Sequence, residues 1–262
     1  MKKKKWLAML VAVVMVCMML PMTALAAGTV SVQIGSTTLN DGANSIGGGT
    51  ATLDVAQNTL TLENVSTTNW LGITSDNEFT VIVKGINSIG NAQSRTNGTA
   101  LWSTTTPALN IKIESGAELA LYTDGGNSIY VNSGSVNISG PGKLTADTVG
   151  GYPALCVENG NLNLKDSLQA NITSDGHGLF AYKGNIDVEN ATLTVTAGSV
   201  GLFAEIYDHD TDDDIPSAVA LKNSTVTLNT EDHGVFCGSG GILVENTLLT
   251  TTANKDIDNF EG

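Results

Sequence analysis

From residue 29 onward, short runs of alternating apolar and polar residues are separated by clusters of Gly, Asn, Ser and Thr. A period of two predicts strands, and no stretch carries a convincing helical period. One unit recurs: a small residue, an aliphatic, then usually an aromatic. It reads Ala100-Leu101-Trp102, Ser128-Ile129-Tyr130, Ala154-Leu155-Cys156, Gly178-Leu179-Phe180, Gly201-Leu202-Phe203 and Gly234-Val235-Phe236, with a weaker copy at Gly72-Ile73-Thr74. The aliphatics at 101, 129, 155, 179 and 202 are separated by 28, 26, 24 and 23 residues, and the next interval, to Val235, is 33. Five residues after the aliphatic stands a glycine (Gly134, Gly160, Gly184, Gly240), and seven after it a second apolar run opens at Val136, Leu162, Ile186 or Ile242. A third run is expected to begin at Leu144, Leu168, Leu193 or Leu248.

Three strands per unit, each ended by a turn, wind the chain once around and return it beside itself. Neighbouring coils then pair their backbones at about 4.8 Å, and aliphatics at matching positions stack into interior columns. No coil buries its apolar face alone, but a stack does. The glycines at the fixed turn are expected to supply a positive φ. A β-sandwich also alternates, yet it does not predict glycines and aliphatics at constant offsets. The expected fold is therefore all-β, a right-handed parallel β-helix of about seven three-strand coils.

The ends depart from the unit. Residues 27–66 carry alternating runs (Val30, Val32, Ile34; Leu53, Val55; Leu60, Leu62) outside the repeat, and are expected to form an N-terminal β cap over the unpaired first coil. The coils are expected over 67–262. Thr250 to Gly262 shows no matching cap, so a continuation into a longer protein is expected.

Four lysines, Lys2 to Lys5, precede an apolar run from Trp6 to Leu20, then Pro21 and Ala24-Leu25-Ala26. This is the layout of a secretory signal cleaved after Ala26, giving a secreted or cell-surface protein with no membrane partner once it is cut. Loss of those lysines leaves 8 basic against 26 acidic residues, so the net charge moves from -14 to -18. Without a basic patch, nucleic acid is a poor partner. An uncharged polysaccharide suits the surface better than a polyanionic one. Cys156 and Cys237 remain, too few for a disulfide scaffold. One follows the outward and the other the inward register three coils apart, beyond the reach of a bridge, so both are expected to be free.

Alternation assigns faces. If Ile129 and Val131 point inward, then Tyr130 points out, and with it Trp102, Cys156, Phe180, Phe203 and Phe236. An aromatic row at about one inter-strand step suits stacking on pyranose rings, and suits equally an internal ladder that only stabilises the sheet. The ten-residue insertion after the strand bearing Phe203 holds five carboxylates in seven residues: Asp208, Asp210, Asp212, Asp213 and Asp214. The first three alternate like calcium-loop ligands, but Asp213 replaces the glycine and Val219 the glutamate of an EF-hand. A looser calcium site and a solvated acidic loop both stay open. His177 and His233, in turns two coils apart and beside Asp175 and Asp232, read as polar turn residues rather than an acid-base pair.

The repeat, cleanest in GLFAYKGNIDVENATLTVTA at 178–197, resembles pectate-lyase-like right-handed parallel β-helices. It looks most like the exported carbohydrate-binding β-helix proteins of Gram-positive anaerobes, and TLDVAQNTLTLENV at 52–65 looks like the usual lead-in to such helices. That resemblance implies glycan binding, often with calcium. It does not carry over catalysis. The one arginine, Arg95, stands in a linker and not on a strand, and Asp147, Asp175 and Asp232 are expected in equivalent turns but scattered along the axis. The expected function is non-catalytic carbohydrate binding by Trp102, Tyr130, Phe180, Phe203 and Phe236. A structural or adhesive stalk is the alternative, and a polysaccharide lyase or hydrolase ranks third.

Overall fold

The structure, a computed structural model, describes residues 29–104, 107–204, 207–208, 213–214 and 216–259, with backbone alone at 207, 208, 213, 214 and 259. The expected export signal, 1–26, lies outside the described residues. Every regular element described is a β-strand, and the strands form a parallel β-solenoid of about seven turns.

Each coil lays one strand in each of three sheets. The first sheet has ten strands, the second ten and the third nine. One full coil runs through Ile129–Val131, Ser135–Ser139 and Lys143–Val149 before the chain re-enters the first sheet at Leu155–Asn159. The interval between units varies because the loops vary; the register does not. Leu71, Leu101, Ile129, Leu155, Leu179, Leu202 and Val235 pair in one unbroken column, each at most 1% exposed. In the second sheet Leu109, Val136, Leu162, Ile186 and Val219 do the same. At about 1.5–3 kcal/mol per fully buried aliphatic, these columns are what the repeat exists to form.

The third column differs from expectation at two places. Leu144 pairs with Ala170, which pairs with Leu193, then Val226, then Leu249. Leu168 is buried, but in the turn before its strand, and Leu248 points outward at 65% exposure. A coil one residue shorter or longer in this turn shifts the strand's phase, and a leucine alone does not report which phase applies.

The glycine turn also needs correction. Gly134 and Gly160 have φ of +93° and +152°, but Gly184 and Gly240 are not in the left-handed region. They are glycine because coils are stacked there at backbone contact. A Cβ on Gly184 would run into the carbonyl oxygen of Gly160, and one on Gly240 into that of Ser217. The left-handed duty falls instead on asparagine between the second and third sheets: Asn64, Asn190, Asn223 and Asn246 have φ of 55°, 50°, 50° and 47°. Asparagine is the residue besides glycine that takes this conformation readily.

At the N-terminal end the pairing turns antiparallel. Val30–Ile34 runs against Leu71–Ser75 in the first sheet, and Gly49–Asp54 runs against Thr59–Glu63 and Gly42–Ile46 against Gly49–Asp54 in the second. Thr59–Glu63 is itself parallel to Phe79–Lys84, so the parallel stack begins there. At the other end, Gly241–Glu245, Leu248–Thr252 and Lys255–Asn259 each have, among the described residues, a neighbour on one side only, and Leu243, Val244, Leu248 and Ile257 are 41–65% exposed.

Candidate functional site

The outward position of the first sheet is occupied in succession by Gly72, Trp102, Tyr130, Cys156, Phe180, Phe203, Phe236 and Asp258, paired coil to coil. Alternation forces this, since the two residues flanking each position from Gly72 to Phe236 are buried in the interior. All five aromatics are half-buried rather than open. Cys156 is only 5% exposed although its side chain points out, because Tyr130 and Phe180 flank it in the column.

The column divides at Cys156. On the C-terminal side the Phe180 and Phe203 rings are 5.2 Å apart and the Phe203 and Phe236 rings 5.5 Å apart, both tilted by 57°. On the N-terminal side Trp102 meets Trp70 at 5.7 Å. The glycine at 72 is required for this, since a Cβ there would fall against both indoles. The Tyr130 hydroxyl lies 3.5 Å from Asn132 Oδ1.

The histidines join this face, which corrects their reading as plain turn residues. His177 stacks on Phe180 (5.7 Å, 22°) and meets Phe203 edge-on at 5.1 Å. The amide of Val200 donates to its Nδ1 at 3.4 Å. Burial lowers the pKa of His177 against the opposing pull of Asp232, so the neutral ring is favoured. His233 lies 5.0 Å from Phe236. Its Nδ1 is 2.9 Å from Asp232 and its Nε2 3.6 Å from Asp258, contacts not aligned as hydrogen bonds. Lys255 reaches Asp258 at 3.4 Å. A sequence signal for this existed: His-Gly-Leu-Phe at 177–180 and His-Gly-Val-Phe at 233–236 set each histidine three residues before its phenylalanine. Trp70, two residues before a glycine of the repeat, carried no such signal.

Of the acidic insertion, Tyr207–Asp208 pairs antiparallel with Asp213–Asp214, so Asp208 stands opposite Asp213 at the backbone. Asp210 and Asp212 lie outside the described residues, as do the side chains of Asp208, Asp213 and Asp214. Among the described residues no three His, Cys, Asp or Glu side chains are arranged to hold a metal ion.

Arg95 leaves its loop for the third sheet. Its guanidinium grips Asp147 with two bonds of 3.0 and 3.1 Å, reaches the Asp147 carbonyl at 2.9 Å and lies 5.8 Å from the Tyr122 ring. Asp147 is therefore a strand residue, paired with Thr173, and is not in a turn equivalent to Asp175 or Asp232. Both thiols are free and buried. Burial, followed by the charge of Glu158, pushes the Cys156 thiol up to about 12.

No family model, no curated protein and no solved structure gives a match.

Proposed function

We infer that the outward face of the first sheet binds a glycan without catalysing its cleavage. The observation that carries this reading is the aromatic column itself, which places half-buried rings in five coils, in two runs separated by Cys156, at a spacing near that of successive sugar rings. The tryptophan pair and the Phe-His cluster present apolar faces and edges beside polar groups (Asn132, His177, Asp232), the mixture that sugar rings with one apolar side call for. An uncharged polysaccharide is the ligand class that fits an acidic surface. Calcium at Asp208 to Asp214 is an accessory to this reading and not a requirement of it. The likeness of the repeat to exported carbohydrate-binding β-helix proteins adds weight, and with the leader the reading implies a secreted or surface-held protein.

The tilt of the phenylalanine rings favours a second reading, a structural stalk in which the column is packing. Rings inclined at 57° to one another bury their edges in each other and offer no continuous flat row. The test is retention of the chain, residues 27–262, on insoluble and immobilised polysaccharides with calcium and with chelator. Retention on one uncharged glycan class, lost in Trp102→Ala and without release of reducing ends, supports binding. Passage through every glycan by folded protein moves the assignment to the stalk.

A further inference from the structure

A second polar site is built on a different sheet and does not depend on the aromatic column. On the outer face of the second sheet, Asn110, Asn137 and Asn163 occupy one position in three successive coils. Asn137 donates its amide to Asn110 at 2.9 Å, and Asn163 donates to Asn137 at 2.7 Å. The ladder therefore leaves the Asn163 carbonyl oxygen facing the next coil. The residue there is Asp187, which in ionised form has no proton to give, and no hydrogen bond joins the two. Two acceptors face each other with no donor between them. The coil after that brings Ala220, whose methyl group fills none of the space a longer side chain would take.

One position along, about 6.7 Å by strand geometry, Lys165, Glu189 and Lys222 follow one another in the same coils. Together these six residues bound a notch of about 290 Å³. Among the described residues no ion pair joins any of its four charges. Asp187 is desolvated enough for its pKa to be raised, even with Lys222 pulling it down.

The notch is thus neutral overall, with two ammonium groups that only donate and two carboxylates and an amide oxygen that only accept. A charged ligand gains one half of this wall and is opposed by the other. A ligand whose every group both donates and accepts is complementary to all of it. We propose that the notch at Asn163, Asp187 and Ala220 binds adjacent hydroxyl groups of a neutral sugar, with Asp187 and the Asn163 carbonyl accepting from the hydroxyls and Lys165 and Lys222 donating to them. The solenoid then contacts glycan on two faces, one through rings and one through this polar notch.

The experiment follows the backbone amides of Asp187 and Ala220 by NMR in the full chain during titration with neutral hexasaccharides of glucose, mannose and xylose, with hexamers of glucosamine and galacturonate as charged comparators. Millimolar neutral sugar is expected to shift both amides. Ala220→Leu, which fills the notch from the surface, and Asp187→Asn, which places a donor between the facing acceptors, are each expected to weaken that response at least tenfold. Trp102→Ala leaves it unchanged, so failure here and failure of the aromatic face are told apart. Unmoved amides with every neutral hexamer, a response indifferent to Ala220→Leu in folded protein, or a response to the charged hexamers alone would each overturn the proposal.

Discussion

Phe203 is the residue at which packing and binding make different demands. Among the described residues it has three ring neighbours, His177 at 5.1 Å, Phe180 at 5.2 Å and Phe236 at 5.5 Å. Aromatic pairs contribute about 0.5–1.5 kcal/mol each beyond the area they bury, and a fully buried phenylalanine costs about 3–5 kcal/mol on truncation to alanine. Phe203 is only half-buried, so Phe203→Ala is expected to cost about 2–3 kcal/mol. For a chain of this length that is a fall of about 4–12 °C in Tm. Tyr130 is at the same position three coils away, with no ring-to-ring contact among the described residues, and Tyr130→Ala should cost about 1 kcal/mol or less. Urea unfolding of both variants measures the difference, and a double-mutant cycle with Phe236→Ala isolates the shared contact. A coupling of about 0.5–1.5 kcal/mol is expected. Equal, small losses for Phe203→Ala and Tyr130→Ala with zero coupling would refute the view that these rings act as one packed group.

Three other residues give independent tests. Gly184→Ala should lose about 1–3 kcal/mol through the clash with the Gly160 carbonyl; an unchanged denaturation midpoint would mean the coils are not in backbone contact there. Asp187→Asn should gain about 1 kcal/mol at pH 7 by extending the amide ladder by one bond. Because the folded pKa of Asp187 is raised above 3.8, the wild-type carboxyl takes up its proton in the folded state first as the pH falls, so this advantage should shrink through that raised pKa toward 3.8. A gap that widens in acid would contradict the assignment. Cys156, with its thiol near 12, should resist iodoacetamide at pH 8 in the folded chain and react once unfolded; rapid native labelling would show that Tyr130 and Phe180 do not cover it.

The fold was legible because a solenoid writes its cross-section into the sequence once per coil. The Leu101-to-Val235 column could be read from spacing alone, since every coil must return to the same interior position. Features that depend on what lies above and below a residue were not legible. Gly184 and Gly134 look alike in sequence, yet one answers to a neighbouring carbonyl and the other to its own φ. Cys156 points outward as alternation requires but is covered by side chains of adjacent coils. His177 and His233 look like turn residues until their rings are found against phenylalanines, and Trp70 stands outside the repeat unit. Arg95 stands in a loop, as the composition around it implies, but the reach of its side chain to Asp147 is a fact of three dimensions.

The unlike ends give the molecule a direction. Antiparallel strands close the first coils, whereas among the described residues Leu243, Leu248 and Ile257 lie in strands paired on one side. Each coil is held only by its neighbours, so removing the last one presents the same open edge again one step inward. In residues 27–262 taken alone, amide hydrogen exchange should therefore rise coil by coil toward residue 259 and be slowest near the antiparallel strands. Residues 27–262 taken alone would loosen as a zipper drawn from one end.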